Sequence, residues 1–121
     1  EIYTLSLHDA LPISRVVFCH PEVAAVGTHE ARAGIKAFTM PQAPNGRAVV
    51  DKVAPAFVKL FIEEDTSQIA GAIIIGEGAT EMIHEMAVAV ENRLSLEQIG
   101  KTVHAHPTHS KNVLLAVQHF N

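Results

Sequence analysis

The sequence predicts an α+β domain: a mainly antiparallel sheet with helices packed on it. Three observations carry that expectation. Residues 57–63 alternate Val58, Leu60 and Ile62 against Phe57, Lys59 and Phe61, and a polar Glu64-Asp65-Thr66-Ser67 break separates them from the apolar run 68–75, so the two runs read as a β-hairpin. The second arm is apolar on both faces, which predicts a central strand covered by helices. From Thr80 the period changes to the helical one, with Ile83, Met86, Val90 and Leu94 on a single stripe.

The remaining elements follow in order. Val16, Val17 and Phe18 form a β-branched and aromatic run that ends at His20-Pro21, where the proline favours extended geometry in its predecessor, and Val23 and Val26 continue it through 22–27. Thr28 stands at an N-cap position before Glu30, Ala31, Arg32 and Ala33, with Gly34 as the stop, so a short helix is expected there. Residues 35–40 read as extended and 41–46 as punctuation. With Asn45-Gly46 as a turn signal, 47–50 resumes a strand. After Gly76 and Gly78 comes the amphipathic helix, whose Ala87, Val88 and Ala89 widen the apolar surface toward either a partner chain or a second side of the same domain. Ser95 and Gln98 form a capping box for a short helix ending near Gly100. Residues 102–106 read as extended, and Val113, Leu114, Val117 and Phe120 recur at helical spacing in a final helix.

Composition narrows the function classes. The chain has 121 residues, 48% hydrophobic and 18% charged, which suits one globular domain. Its net charge of −4 and the absence of basic runs argue against a nucleic-acid partner. The longest apolar stretches fall far short of the roughly 20 residues of a membrane span. The single cysteine, Cys19, has no partner for an internal bridge, reads as a small strand residue, and points to a reducing, cytoplasmic compartment.

Eight histidines are many for this length, and three crowd the stretch His104-Ala105-His106-Pro107-Thr108-His109. On an extended strand His104 and His106 point the same way, about 7 Å apart, which suits two ligands of one zinc ion with His109, His119 or a carboxylate as a third. Histidines that are solvated or hydrogen-bonded without metal are the plainer alternative. General base catalysis is another use of an imidazole, and Pro107 singles out His106 by restricting its backbone to extended geometry. With one thiol and no serine in a nucleophile elbow, a complete active site is not expected in this chain.

Residues 1–14, EIYTLSLHDALPIS, fit neither a signal peptide nor an amphipathic helix, and they resemble a translated short-read sequencing adapter. They read as an artefactual or disordered leader, with 15–121 as a domain from a longer parent.

Four blocks carry a family resemblance: FCHPEVAAVG at 18–27, APNGRA at 43–48, FVKLFIEEDTSQIAGAIIIGEGATEMIHEMAVAVE at 57–91 and HAHPT at 104–108. Together they resemble the C-terminal dimerisation domain of the pyridine nucleotide-disulfide oxidoreductases, with NGRA and HAHPT favouring the dihydrolipoamide dehydrogenase branch. The resemblance implies the interface-domain fold of flavoprotein disulfide reductases. It also implies a homodimeric parent with FAD, NAD and a redox-active Cys pair in preceding domains, acting on a lipoyl-type disulfide. In that family the histidine before the proline crosses the interface as the acid/base of the other subunit's dithiol, with its backbone near the flavin, and His106 is the matching position. The family's glutamate five residues later orients the ring, whereas this chain has Lys111, which cannot accept the imidazole N–H and whose charge opposes the cationic ring. Either a slowed enzyme or a misread position is the expected explanation, since Glu and Lys codons differ by a single G-to-A change.

The fragment alone, lacking cofactor domains, is not expected to be active or to bind metal, FAD or NAD. Dimerisation surfaces are expected at 86–90 and on the apolar face of the last helix. The alternatives are a free-standing dimerising module and a small zinc protein using the HxH cluster.

Overall fold

The predicted hairpin forms the middle of the sheet. The computed structural model describes residues 13–40 and 44–120, so the reading of residues 1–12 as a leader and part of the 41–46 punctuation lie outside the described residues. Strand β4 (Phe57–Glu63) pairs antiparallel with β5 (Ile69–Ile75), from Phe57 opposite Ile75 to Phe61 opposite Gly71, with a register shift between Phe61 and Ile62. Strand β2 (Val23–Gly27) lies on the other side of β5, β1 (Ser14–Val17) outside β2, and β3 (Ile35–Met40) outside β4. The order is β1-β2-β5-β4-β3, every pair antiparallel, as the α+β expectation requires. Ser14, the last residue of the expected leader, opens β1 opposite Val26. Cys19 is exposed just beyond β1, in the bend before Pro21, rather than within a strand.

Close backbone approach explains the glycine at the centre of β5. A Cβ on Gly71 would come within 2.0 Å of the Thr28 carbonyl oxygen, so only glycine lets β2 leave the sheet over this point, where the Thr28 N–H donates to the Ala70 carbonyl at 3.0 Å. The helix expected at 28–34 is therefore absent. Arg32 and Ile35 instead exchange backbone hydrogen bonds across Ala33-Gly34, with Gly34 at φ 83, which makes a tight turn leading into β3. A five-residue stretch does not repay helix nucleation when a turn and a strand compete for it.

Three helices follow the hairpin: α2 (Ala79–Glu91), α3 (Leu96–Gly100) and α4 (Lys111–Phe120). The predicted capping box opens α3, with Ser95 Oγ accepting from the Gln98 N–H and Gln98 Oε1 accepting from the Ser95 N–H. The core joins Val58, Leu60, Ile62, Ala72 and Ile74 of the sheet to Ile83 and Met86 of α2, Leu96 and Ile99 of α3, and Val113 and Val117 of α4. The central position of β5 is as expected, but its cover is one-sided. Ala72 and Ile74 are buried under the helices, while Ile73 and Ile75 on the opposite face are only half-buried. Among the described residues no helix is long and apolar enough to cross a membrane.

The start of α2 depends on a residue far away in sequence. Its N-cap, Gly78, has no side chain to accept the first amides, and Glu22, just before β2, takes that place: Oε2 accepts from the Thr80 N–H at 3.0 Å and from the Thr80 hydroxyl at 2.7 Å. The Thr80 backbone N–H and then its hydroxyl hold the Glu22 carboxyl below the ordinary carboxylate range. The sign follows directly: a lowered folded value stabilises the fold above the unfolded value near 4.5 and ceases to do so as pH falls through the folded one. Glu22→Ala should destabilise the protein by about 1 kcal/mol at neutral pH, as loss of a helix cap does. Urea denaturation of both proteins at pH 7 and pH 3 should show that difference shrinking at the acid end.

Candidate functional site

The histidine stretch is held between α1 (Gly46–Asp51), α2 and the start of α4. Helix α1 occupies the stretch expected to be a strand. Asn45 is its N-cap rather than a turn residue, with Oδ1 accepting from the Arg47 N–H at 2.8 Å and the Ala48 N–H at 3.2 Å. Arg47 Nε meets Asp51 Oδ2 at 2.7 Å one turn on, and the helix closes at Lys52 with φ 57. Val49 and Val50 favour strands by type, but at 72% and 69% exposure they have no sheet to pack on, so the cap decides the local structure.

Residues 102–106 do not form the expected strand: Thr102 and His106 are bends, 103–105 have no regular structure, and His104 is half-buried while His106 is exposed. The His104 side chain is only 6% exposed and faces Glu85 of α2, with 2.5 Å between Nε2 and Oε1. Its Nδ1 lies 2.9 Å from the Thr102 carbonyl, so the ring bridges that backbone oxygen and the Glu85 carboxylate. His109 turns instead to α1, with Nε2 2.8 Å from Asp51 Oδ2. Arg47 first and His109 second hold the Asp51 carboxyl below its usual range. His119 lies on α4 with Nδ1 against the Leu115 carbonyl. The three histidines of the cluster thus have separate surroundings, and among the described residues no three His, Cys, Asp or Glu side chains converge as metal ligands.

His106 is the member left open. It is exposed, and among the described residues nothing hydrogen-bonds its ring. Its turn rests on Gly46, where an added Cβ would lie 3.6 Å from His106 Cε1 and 3.5 Å from Pro107 Cβ. The Thr108 hydroxyl donates to the Ala105 carbonyl at 2.7 Å and closes the turn. Lys111, half-buried, is the first residue of α4, and no hydrogen bond or ion pair joins it to the His106 ring among the described residues.

Asn45 connects the two halves of the site. Its Nδ2 donates to the Thr108 carbonyl at 3.2 Å and to Asn112 Oδ1 at 2.9 Å. Asn112 is wholly buried, and its own Nδ2 has no partner among the described residues, a burial that costs about 1–3 kcal/mol when uncompensated. Sequence reading passed over Asn45, Asp51 and Glu85. For α1 there was a signal, an asparagine ahead of Arg47 and Asp51 at i,i+4 spacing. For Glu85 there was none, because its partner lies on a loop 19 residues away.

The apolar surfaces expected to dimerise are smaller than predicted. In the 86–90 run, Met86 and Ala89 lie in the core and only Val88 is exposed, at 56%. On α4, Val113, Leu114, Ala116 and Val117 are all buried within the domain. A cleft of about 430 Å³ lies elsewhere, between the His20–Pro21 bend and residues 52–57, and none of the clustered histidines lines it.

This antiparallel sheet with one helical cover and a presented histidine turn has counterparts in known proteins. Residues 13–117 match the family described as "Pyridine nucleotide-disulphide oxidoreductase, dimerisation domain". Among curated relatives, the dihydrolipoyl dehydrogenase of Bacillus subtilis is 41% identical over 105 residues, covering 83% of this chain and 22% of that protein. The dihydrolipoyl dehydrogenase of Haloferax volcanii is 36% identical over 115 residues, covering 91% of this chain and 24% of that protein. Among solved structures, LpdA of Mycobacterium tuberculosis aligns with a TM-score of 0.80 at 27% identity, over 90% of this chain and 25% of that one. The flavoprotein disulfide reductase RclA of Escherichia coli, at 23% identity and a TM-score of 0.81, shares the fold over 94% of this chain and 27% of that one. The chain therefore belongs to the dimerisation-domain family of the pyridine nucleotide-disulphide oxidoreductases. Its curated matches named here are dihydrolipoyl dehydrogenases, and it spans between a fifth and a quarter of their length.

Glu85 is the most direct support of the histidine stretch from outside it. Glu85→Ala should leave the buried His104 Nε2 without its hydrogen-bonding partner and destabilise the domain by roughly 1–3 kcal/mol. Urea denaturation monitored by circular dichroism would measure it, with Glu85→Gln expected to lose less.

Proposed function

We propose that residues 15–121 are the homodimerisation domain of a dihydrolipoyl dehydrogenase-like disulfide oxidoreductase and that His106 is the acid/base delivered to the partner subunit. One observation supports this reading beyond family membership: the His106 ring is exposed and, among the described residues, unbonded, while the turn that bears it is secured on both sides. An imidazole with no internal partner, presented on a fixed turn, is suited to exchange protons with a group on another chain.

The chemistry required is thiol–disulfide exchange. A dihydrolipoyl thiol gives its proton to a His106 imidazole nitrogen, and the thiolate attacks one sulfur of the enzyme's disulfide and displaces the other as thiolate. The second substrate thiol gives its proton to the displaced enzyme thiolate and attacks the substrate sulfur of the mixed disulfide, which breaks the bond to the enzyme, closes the substrate disulfide and leaves both enzyme sulfurs reduced. Bound in the parent's other domains, FAD and NAD supply the acceptors for that electron pair. The described sheet is antiparallel throughout and has no parallel βαβ unit with a phosphate-binding turn, so it does not fit either dinucleotide as a primary binding site. The exposed His106–Pro107 turn is the part of this chain that would approach a flavin bound in other domains, as the resemblance implies.

Lys111 sets the expected performance of the site. It offers no acceptor to orient the imidazole. The fragment alone is inactive in this reading.

The test replaces the corresponding segment of the Bacillus subtilis relative with residues 15–121 and measures reduction of NAD by dihydrolipoamide. His106→Ala should lower turnover by about 10²–10⁴-fold, the range for loss of a general acid/base. Lys111→Glu should raise it above that of the unmodified chimera. Equal turnover with and without His106 would sink the assignment.

A further inference from the structure

The arrangement around Asn45 points to a role beyond capping. We infer that Asn45 is a positioning residue, whose Nδ2 fixes the His106–Pro107–Thr108 turn against helix α1 and so sets where His106 is presented. This deepens the acid/base reading of His106 and rests on it for its functional meaning.

The argument begins with what one carboxamide can do. An asparagine side chain has an oxygen that accepts two hydrogen bonds and a nitrogen that donates two. Asn45 uses all four: Oδ1 takes the Arg47 and Ala48 amides, and Nδ2 serves the Thr108 carbonyl and Asn112 Oδ1. Two backbone donors on the oxygen side leave no doubt about which way the amide faces. At 4% exposure the group is shielded from water that could replace these bonds. Aspartate would keep the cap but lose both donors, serine would keep the cap without the reach, and glutamine would move the amide a methylene further out.

The Thr108 carbonyl is two residues from His106, and it belongs to the backbone, so this bond fixes the main chain of the turn. Gly46, next to Asn45, supplies the surface on which the His106 ring and Pro107 rest. One residue thus starts α1 and ties α1 to the turn it supports. The tie matters more in this chain because Lys111 cannot hold the ring through an accepted N–H. The Asp51–His109 contact is a second link between α1 and the same segment, but it joins side chains and does not reach the turn's backbone.

Asn45→Asp separates the two jobs. The carboxylate keeps the cap, and Asn112 can rotate its amide to offer its unpartnered Nδ2 to the new oxygen. Only the Thr108 carbonyl then loses its donor. In the 121-residue protein, ¹⁵N and ¹³C relaxation would report on α1, on the backbone of 105–109 and on the His106 ring. The expected result is that order parameters for 105–109 fall from the rigid range near 0.85 to below about 0.6 while those of 46–51 are unchanged. Unchanged order in 105–109 would overturn the inference. So would loosening seen only when α1 melts as well, because Asn45 would then be a cap and nothing more. If Asn45→Asp does not fold, Asn45→Ser, which also caps, gives the same two readings.

The same substitution in the Bacillus subtilis chimera keeps this inference distinguishable from the acid/base reading. Loosened order with reduced turnover supports both. Loosened order with unchanged turnover leaves Asn45 as the residue that positions the turn and counts against His106 as the acid/base. Unchanged order overturns the positioning role whatever the turnover.

Discussion

Burial of one face of the β4–β5 hairpin is the constraint on which the rest of the structure depends. Val58, Leu60, Ile62, Ala72 and Ile74 present a continuous apolar surface; α2 and α4 are placed by covering parts of it, and α3 packs against α4. Fully burying one such side chain contributes about 1.5–3 kcal/mol, so this shared surface outweighs any single polar contact in the domain. Helix α4 draws Val113, Ala116 and Val117 into that core, and its first turn then fixes where the residues just before it, including His106, can stand.

Polar contacts between residues distant in sequence perform a different task. Glu22 caps α2, Glu85 holds His104, Asn45 holds Thr108 and Asp51 holds His109, and in each the partner lies on another element. Individually such bonds contribute on the order of 1 kcal/mol. Their value lies in direction: burial brings α1, α2 and the 102–110 stretch close together, and hydrogen bonds decide which side chains face which. The outcome is one histidine in a carboxylate pair inside, one against α1, and one outside with an unoccupied ring.

That division gives the family relationship a physical content. Lys111 opens α4 and, among the described residues, makes no hydrogen bond or ion pair with the His106 ring. The turn that bears His106 is nonetheless secured from both flanks, by a bond to its backbone at Thr108 and by side-chain contacts at His104 and His109. Backbone placement and ring orientation are separable demands on a presented histidine: here the Asn45 amide holds the turn's backbone, the Glu85 and Asp51 carboxylates hold the side chains of its neighbours His104 and His109, and among the described residues no group bonds the His106 ring.

The sequence by itself determined the hairpin, the central strand, the amphipathic helix, the capping box and the terminal helix, because each is written in contacts between residues a few positions apart. It also carried the motifs from which the family was recognised, His106 among them. It misled at 28–34 and 47–50, where short stretches took the structure imposed by a turn glycine and a capping asparagine against the propensity of their neighbours. Tertiary structure alone decided which face of β5 is covered and which histidine stays open, and it paired Asn45 with Thr108 and Glu85 with His104. Those choices join residues 19 and 63 positions apart, and no local periodicity records a contact made only after the chain has folded back on itself.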